Sequence, residues 1–222
     1  MTTMAGTPAI VVVDIETSGL DEKVNMILEV GILVLGLDLT EIASFTAMAT
    51  DHQAIAHLDW LAGMAATDLS GRAAEERKPY DDARLVHEMH QRSGLAAHIR
   101  QMHANGTQWS MLDIQQHAVA FLEEHKIGKP GLELPMTGSS VHFDRRFLAA
   151  QMPGVEARFH YRNIDVSTLK GLVELYRGDI VDEREQVLKA DKAHRALSDC
   201  RDTVRELEFY LTRTLAKAGA PA

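Results

Sequence analysis

The stretch Ala9-Ile10-Val11-Val12-Val13-Asp14-Ile15-Glu16-Thr17-Ser18-Gly19-Leu20 decides the fold. Its first part, Ala9 to Ile15, is a β-branched run ending in acids, the pattern of a buried strand bounded by a Ser-Gly turn. Asp14 and Glu16 stand two residues apart, so on a strand their side chains project to the same face. Two carboxylates on a buried scaffold repel each other and lose hydration, unless positive charge sits between them. A hard divalent cation such as Mg²⁺ or Mn²⁺ suits oxygen ligands of this kind. Taken alone, Asp-x-Glu is common and reads better as a strand whose last acids face water.

Working outward, Ile27 to Leu35 is a second apolar run, interrupted by Glu29 and Gly31, and Glu41 to Thr50 alternates loosely as a third. Turn residues join them, which predicts an antiparallel meander. Trp60 to Lys78 is rich in alanine and charge and reads as an irregular insertion. Asp81 to His90 and Gly94 to His103 read as helices. Ser110 is the expected N-cap of a helix over Met111 to His125, with Leu112, Val119 and Leu122 on its apolar face and Gly128 to Gly131 ending it. Leu134 to Ser140 is a brief strand, and Asp144 opens a helix that stops before Pro153. Arg158 to Val166 is a further strand, followed by a helix from Ser167 to Tyr176. Gly178 to Asp191 reads as polar loop with some helix. A last helix runs from about Ala196 to Lys217, its apolar face marked by Leu197, Val204, Leu207, Leu211 and Leu215. Three strands followed by helices mixed with two more strands predict one α/β domain over residues 1–222, a mixed central sheet flanked by helices. Residues 1–8 and 218–222 are expected to be flexible, and 60–84 to be an insertion.

The 222 residues suffice for one substantial core, and 45% apolar content is ordinary for a globular chain. A formal net charge of −9 excludes a fold-wide basic footprint for long duplex DNA. It is compatible with a small, local nucleic-acid site neutralised by metal. Cys200 is the one cysteine, so no intrachain disulfide forms. Met1 to Pro8 lacks the basic and apolar runs of a secretory signal, and the longest apolar stretch, Val30 to Leu37, is too short for a membrane span. The expectation is a soluble, cytoplasmic protein with no membrane partner.

Further acids recur where one site would use them. Asp144 starts a helix after a short strand, which also describes an ordinary acid on a helix dipole. Asp199 lies one turn into the last helix, where Asp202 and Glu206 equally suggest a solvated face. His194 precedes that helix, in a chain with eleven histidines. The combination carries more than its parts. Phosphodiester cleavage by two metals about 3.5–4 Å apart needs such a carboxylate cage, and a neutral histidine beside the water serves as general base.

In this order the motifs resemble the DEDD exonuclease superfamily. Asp14-Ile15-Glu16-Thr17-Ser18-Gly19-Leu20 is similar to its first motif and Ser140-Val141-His142-Phe143-Asp144-Arg145-Arg146-Phe147 to its second. His194 ahead of Asp199 resembles the third, in the histidine-containing DEDDh subclass. Phe159-His160-Tyr161-Arg162-Asn163-Ile164-Asp165-Val166-Ser167-Thr168-Leu169-Lys170 and Met89-His90-Gln91-Arg92-Ser93-Gly94-Leu95 resemble stretches of the oligoribonuclease family within it. The resemblance extends from about Ile10 to Tyr210.

It implies a ribonuclease H-like fold, a homodimer, and 3′→5′ cleavage of short RNAs, chiefly dinucleotides, to nucleoside 5′-monophosphates with two Mg²⁺ or Mn²⁺ ions. By the same resemblance Asp14, Glu16 and Asp199 hold the metals, Asp144 completes the cage, and His194 deprotonates the attacking water. Leu20 and His90 pack against bases. Ser140, Arg162 and Ser167 cap the 5′ phosphate, with Tyr161 and Arg162 reaching in from the partner subunit. An Arg fork with hydroxyls suits a phosphate, and a closed cap removes the need for a basic groove. The chain departs from the family's pattern at Gly138 to Phe143, at Trp60 to Arg84, at Val173 to Gly178 and at Ser198. The competing expectation is a DEDDh exonuclease for single-stranded DNA or for longer RNA 3′ ends; a non-catalytic nucleotide-binding module predicts a broken catalytic set, whereas all five positions are filled.

Overall fold

The computed structural model describes residues 6–130, 132–188 and 193–215. The flexible ends expected at 218–222 and at 1–5 lie outside the described residues, as do parts of the Gly128–Gly131 and Gly178–Asp191 segments. Three strands, β1 (Ile10–Thr17), β2 (Ile27–Leu35) and β3 (Glu41–Met48), form the expected antiparallel meander. Two more, β4 (Pro135–Gly138) and β5 (His160–Asp165), join in parallel, giving the order β3-β2-β1-β4-β5.

Side-chain alternation assigns the two faces of this sheet. Val11, Val13 and Ile15 point into the larger core. There they meet α3 (Leu95–Ala104), α4 (Met111–Glu124) and α5 (His142–Gln151) through Ile99, Ile114, Leu122 and Phe147. Val12, Leu33 and Leu35 point the other way and pack on Cys200 of α9 (Ala196–Tyr210). Every residue of β2 is buried, because both of its faces are covered and it has strands on both sides. Gly31 breaks its apolar run for a steric reason: a Cβ there would sit 2.6 Å from the backbone of Ala196 and Leu197. The glycine lets the start of α9 lie directly on the sheet.

The segment expected to be irregular is mostly helical. α1 (His52–Ala65), capped by Asp51, was not foreseen, and α2 begins at Ala74, before the expected Asp81, and runs to Arg92 through Pro79. Its buried face consists only of Ala83, Val86 and His90, so the apolar periodicity is faint. In α4 the buried stripe is Ile114, Ala118 and Leu122. Leu112, expected on that face, is exposed. Past Pro153 come the short α6 (Pro153–Glu156), then β5, α7 (Val166–Tyr176), a 3₁₀ turn and α8 (Val181–Val187). α9 buries Cys200, Thr203, Leu207 and Tyr210, while Leu197, Val204 and Leu211 are half-buried. A π turn, Leu211–Leu215, ends the described chain; the Leu215 side chain and Lys217 lie outside the described residues. Among the described residues no helix is long and apolar enough to cross a membrane.

Candidate active site

Asp14 and Glu16 occupy the β1 face that α9 covers, as their two-residue spacing predicts. Asp14 pairs across the sheet with Gly31 and Glu16 with Glu29. The close approach at Gly31 therefore brings the first turn of α9 down beside both acids. Asp199 lies in that turn, its amide bonded to the Arg195 carbonyl at 2.9 Å. His194, just before it, takes a left-handed backbone with φ 47°, a conformation that histidine tolerates better than bulkier residues. Ligating atoms of Glu16, His194 and Asp199 all lie within 4.8 Å of one another.

Asp144 arrives from the first turn of α5 and is 4% exposed. Its Oδ1 accepts the backbone amide of Ile15 at 3.0 Å. The buried Cys200 thiol is pushed well up, first by burial and then by the charges of Asp14, Asp144 and Asp199. Asp14 and Asp199 open on a cleft of about 420 Å³ whose wall includes Ser139, Lys170 and Thr203. Of the five residues expected from the sequence, Glu16, His194 and Asp199 group together, Asp14 shares the cleft of Asp199, and Asp144 is held on the Ile15 amide.

Their electrostatics call for a cation. Burial, then the charges of Asp199, Glu29 and Asp144, push the Glu16 carboxyl up to about 8, with Arg195 pulling the other way. Burial pushes Asp144 up to about 7 against the lowering effect of the Ile15 amide. Without added positive charge, Glu16 keeps its proton at neutral pH and Asp144 stands near the midpoint of its titration; a bound divalent cation would favour the charged forms. Carboxylate oxygens fit Mg²⁺ or Mn²⁺, whereas imidazole is the weaker donor for such hard cations.

Around this centre the other expected residues are placed unequally. Leu20 is half-exposed on the loop after β1, its carbonyl held by Arg146. It shares a pocket of about 330 Å³ with Val24, Trp60 and Met64. Ser140 and Ser167 meet, Oγ to Oγ at 3.2 Å. Asp165 Oδ1 accepts both of their amides, each at 3.0 Å. Tyr161 and Arg162 stand exposed on edge strand β5, the guanidinium 5.4 Å from the ring centroid. His90 differs from expectation. It is 0% exposed, and its Nε2 donates to the Thr17 carbonyl at 2.8 Å. Its Nδ1 faces Glu16 Oε2 at 3.9 Å. It has no surface on which a base can stack, because α2 carries it under the β1 loop.

The RNase T exonuclease family model matches residues 99–207, which include Asp144, His194 and Asp199. An oligoribonuclease of Shewanella loihica is 34% identical over 198 residues, 89% of this chain and 91% of the relative. The chain belongs to the oligoribonuclease family. Oligoribonucleases of Alcanivorax borkumensis and Neisseria meningitidis match at 33% and 30% identity, each over 91% of its length. This member of the oligoribonuclease family is accordingly a 3′→5′ exonuclease of the DEDD superfamily, with the ribonuclease H-like fold.

Four residues that neighbour these candidates were not singled out from sequence. Trp60 lay in a segment with no legible period. Asp165 stood inside a quoted motif, one residue before the α7 it caps. Glu29 and Arg195 form an ion pair at 2.8 Å. Glu29 was visible as the acid breaking an apolar strand, but nothing in the sequence marked Arg195 as its partner.

Proposed function

We infer that this exonuclease hydrolyses short oligoribonucleotides, dinucleotides above all, from the 3′ end to nucleoside 5′-monophosphates. The observation that carries the chemistry is the grouping of Glu16, His194 and Asp199 within 4.8 Å beside Asp14 and Asp144. Two divalent cations, when bound, would neutralise the phosphodiester and acidify the attacking water. Asp14, Glu16 and Asp199 would hold them, with Asp144 completing the set from the α5 side. His194 accepts the water's proton on a ring nitrogen.

Substrate length is set by groups outside the catalytic set. The paired hydroxyls of Ser140 and Ser167, fixed through Asp165, supply donors for a terminal 5′ phosphate. Arg162, exposed on β5, supplies a guanidinium fork from the partner subunit of a homodimer. Leu20 and Trp60 provide an apolar wall for a base. Support for RNA comes from the relatives, which are oligoribonucleases matched along about nine-tenths of the chain.

The test is a cleavage time course in Mn²⁺ or Mg²⁺ on 5′-labelled RNAs of two to about ten nucleotides, the span a small site holds. Much faster consumption of the dinucleotide is the expected result. Equal or faster trimming of longer RNA, or of single-stranded DNA, transfers the activity to the proofreading or 3′-trimming type.

A further inference from the structure

Glu29 is a buried acid with no part in the catalytic set. It is 2% exposed, the third residue of β2, on the same sheet face as Glu16 and directly opposite it. A second carboxylate there opposes ionisation of Glu16. Both of its oxygens are engaged. Arg195 Nε lies 3.2 Å from Oε1 and 3.0 Å from Oε2, Arg195 Nη2 lies 2.8 Å from Oε1, and the Ala196 amide donates to Oε2 at 3.0 Å. These donors lie on the two residues that follow His194, at the point where α9 begins.

Stability alone is a poor reason for such an arrangement, since buried ion pairs do little better than well-packed apolar side chains. Geometry offers a better one. The backbone at His194 is left-handed, and no side-chain cap holds the N-terminus of α9. The Glu29 carboxylate takes the first amide of the helix instead, and the bidentate Arg195 fork removes its freedom to rotate. We propose that Glu29 and Arg195 are positioning residues. Their brace ties the His194–Asp199 segment to β2 and thereby sets the spacing between Glu16, His194 and Asp199. It acts through those residues and touches neither substrate nor metal. The inference rests on the catalytic reading above.

The experiment compares Arg195→Ala, Arg195→Lys, Glu29→Gln, the Glu29→Gln/Arg195→Ala double variant and Asp14→Ala with the parent. For each, kcat and KM are measured on a dinucleotide, Mn²⁺ affinity by the loss of the free-ion EPR signal, and folding by circular dichroism. Arg195→Ala and Glu29→Gln are expected to lower kcat ~10–100-fold and to weaken Mn²⁺ binding, as outer-sphere partners of metal ligands do. KM should stay within about 3-fold, since uniform binding is untouched. The double variant should be no worse than the poorer single one, because both remove one interaction. Arg195→Lys keeps the charge without the fork, should fold where Arg195→Ala does not, and should recover part of kcat. Parent-like kcat and Mn²⁺ affinity in folded Arg195→Ala and Arg195→Lys overturn the brace, as do additive losses in the double variant. Retained turnover in Asp14→Ala removes the catalytic reading itself, and the brace with it.

Discussion

Ile15, the residue between Asp14 and Glu16, donates its backbone amide to Asp144 Oδ1 at 3.0 Å. β4 pairs with β1 only at Val11 and Val12, so beyond that point the edge of β1 is taken over by a side chain from α5. The second motif is thus tied to the backbone of the first, and Asp144 has both a structural and a chemical task. These tasks separate by substitution. Asp144→Asn keeps an acceptor for Ile15 and should fold, yet lose activity by ~10–100-fold through the missing charge. Asp144→Ala should in addition lose about 1–3 kcal/mol in urea unfolding, from the buried amide left unpaired. Equal stability of the two variants would refute the structural half of this argument.

The acids also predict how the metal-free protein responds to pH. Glu16 titrates near 8 when folded and near 4.5 when unfolded; for Asp144 the values are about 7 and 3.8. The folded state therefore keeps protons that the unfolded chain has shed, and stability falls as pH rises through this interval. Below 6.5 the buried His90 and half-buried His57, both held low by burial, push in the opposite direction. The clear window is pH 6.5 to 8, where losing most of one proton corresponds to about 2 kcal/mol or roughly 4–8 °C in Tm. Differential scanning fluorimetry in EDTA should show that decline, and Mg²⁺ or Mn²⁺ should flatten it. A flat metal-free profile would mean the acids are not crowded.

His90 gives a test that separates core from substrate surface. Buried against Thr17 and Glu16, it should tolerate replacement poorly. His90→Ala is expected to destabilise by about 2–4 kcal/mol, from the cavity and the lost carbonyl bond. A residue that only stacked on a base would raise KM and leave Tm unchanged.

The sequence made legible what periodicity and motif order control. The β1 and β2 runs and the meander follow from alternation and turn residues, and the five candidate catalytic positions from the order of motifs that resemble the DEDD family. What stayed hidden depends on partners distant in the chain. The α2 face carries only Ala83, Val86 and His90 to the interior, too little apolar signal to mark where the helix starts or which side of it is buried. The helix from Asp81 to His90 was expected, but not that it turns His90 inward. Glu29 looked like an interruption because its partner, Arg195, lies 166 positions away. Gly31 reads as a strand defect until the backbone of α9 is found against it.

The proposed cap predicts a change in length preference rather than in chemistry. Asp165 orients Ser140 and Ser167 through its Oδ1, while Arg162 faces outward from β5. Arg162→Ala and Asp165→Asn should each reduce dinucleotide cleavage more than cleavage of a longer RNA, by about 10-fold for the loss of one charge-assisted contact. Parallel losses on both substrates would count against a cap.

Trp60 should act on binding alone. It is 41% exposed and shares a pocket with Leu20, on a helix remote in sequence from every catalytic residue. Base–aromatic stacking contributes about 1–3 kcal/mol per base, so Trp60→Ala should raise the dinucleotide KM roughly 5- to 150-fold with little change in kcat. Its exposure argues that Tm should move by no more than a few degrees. A Trp60→Phe variant, which retains a π face, should recover most of the affinity. If Trp60→Ala instead lowers kcat and leaves KM alone, the tryptophan does not hold a base, and the pocket beside Leu20 serves the packing of α1 on α2.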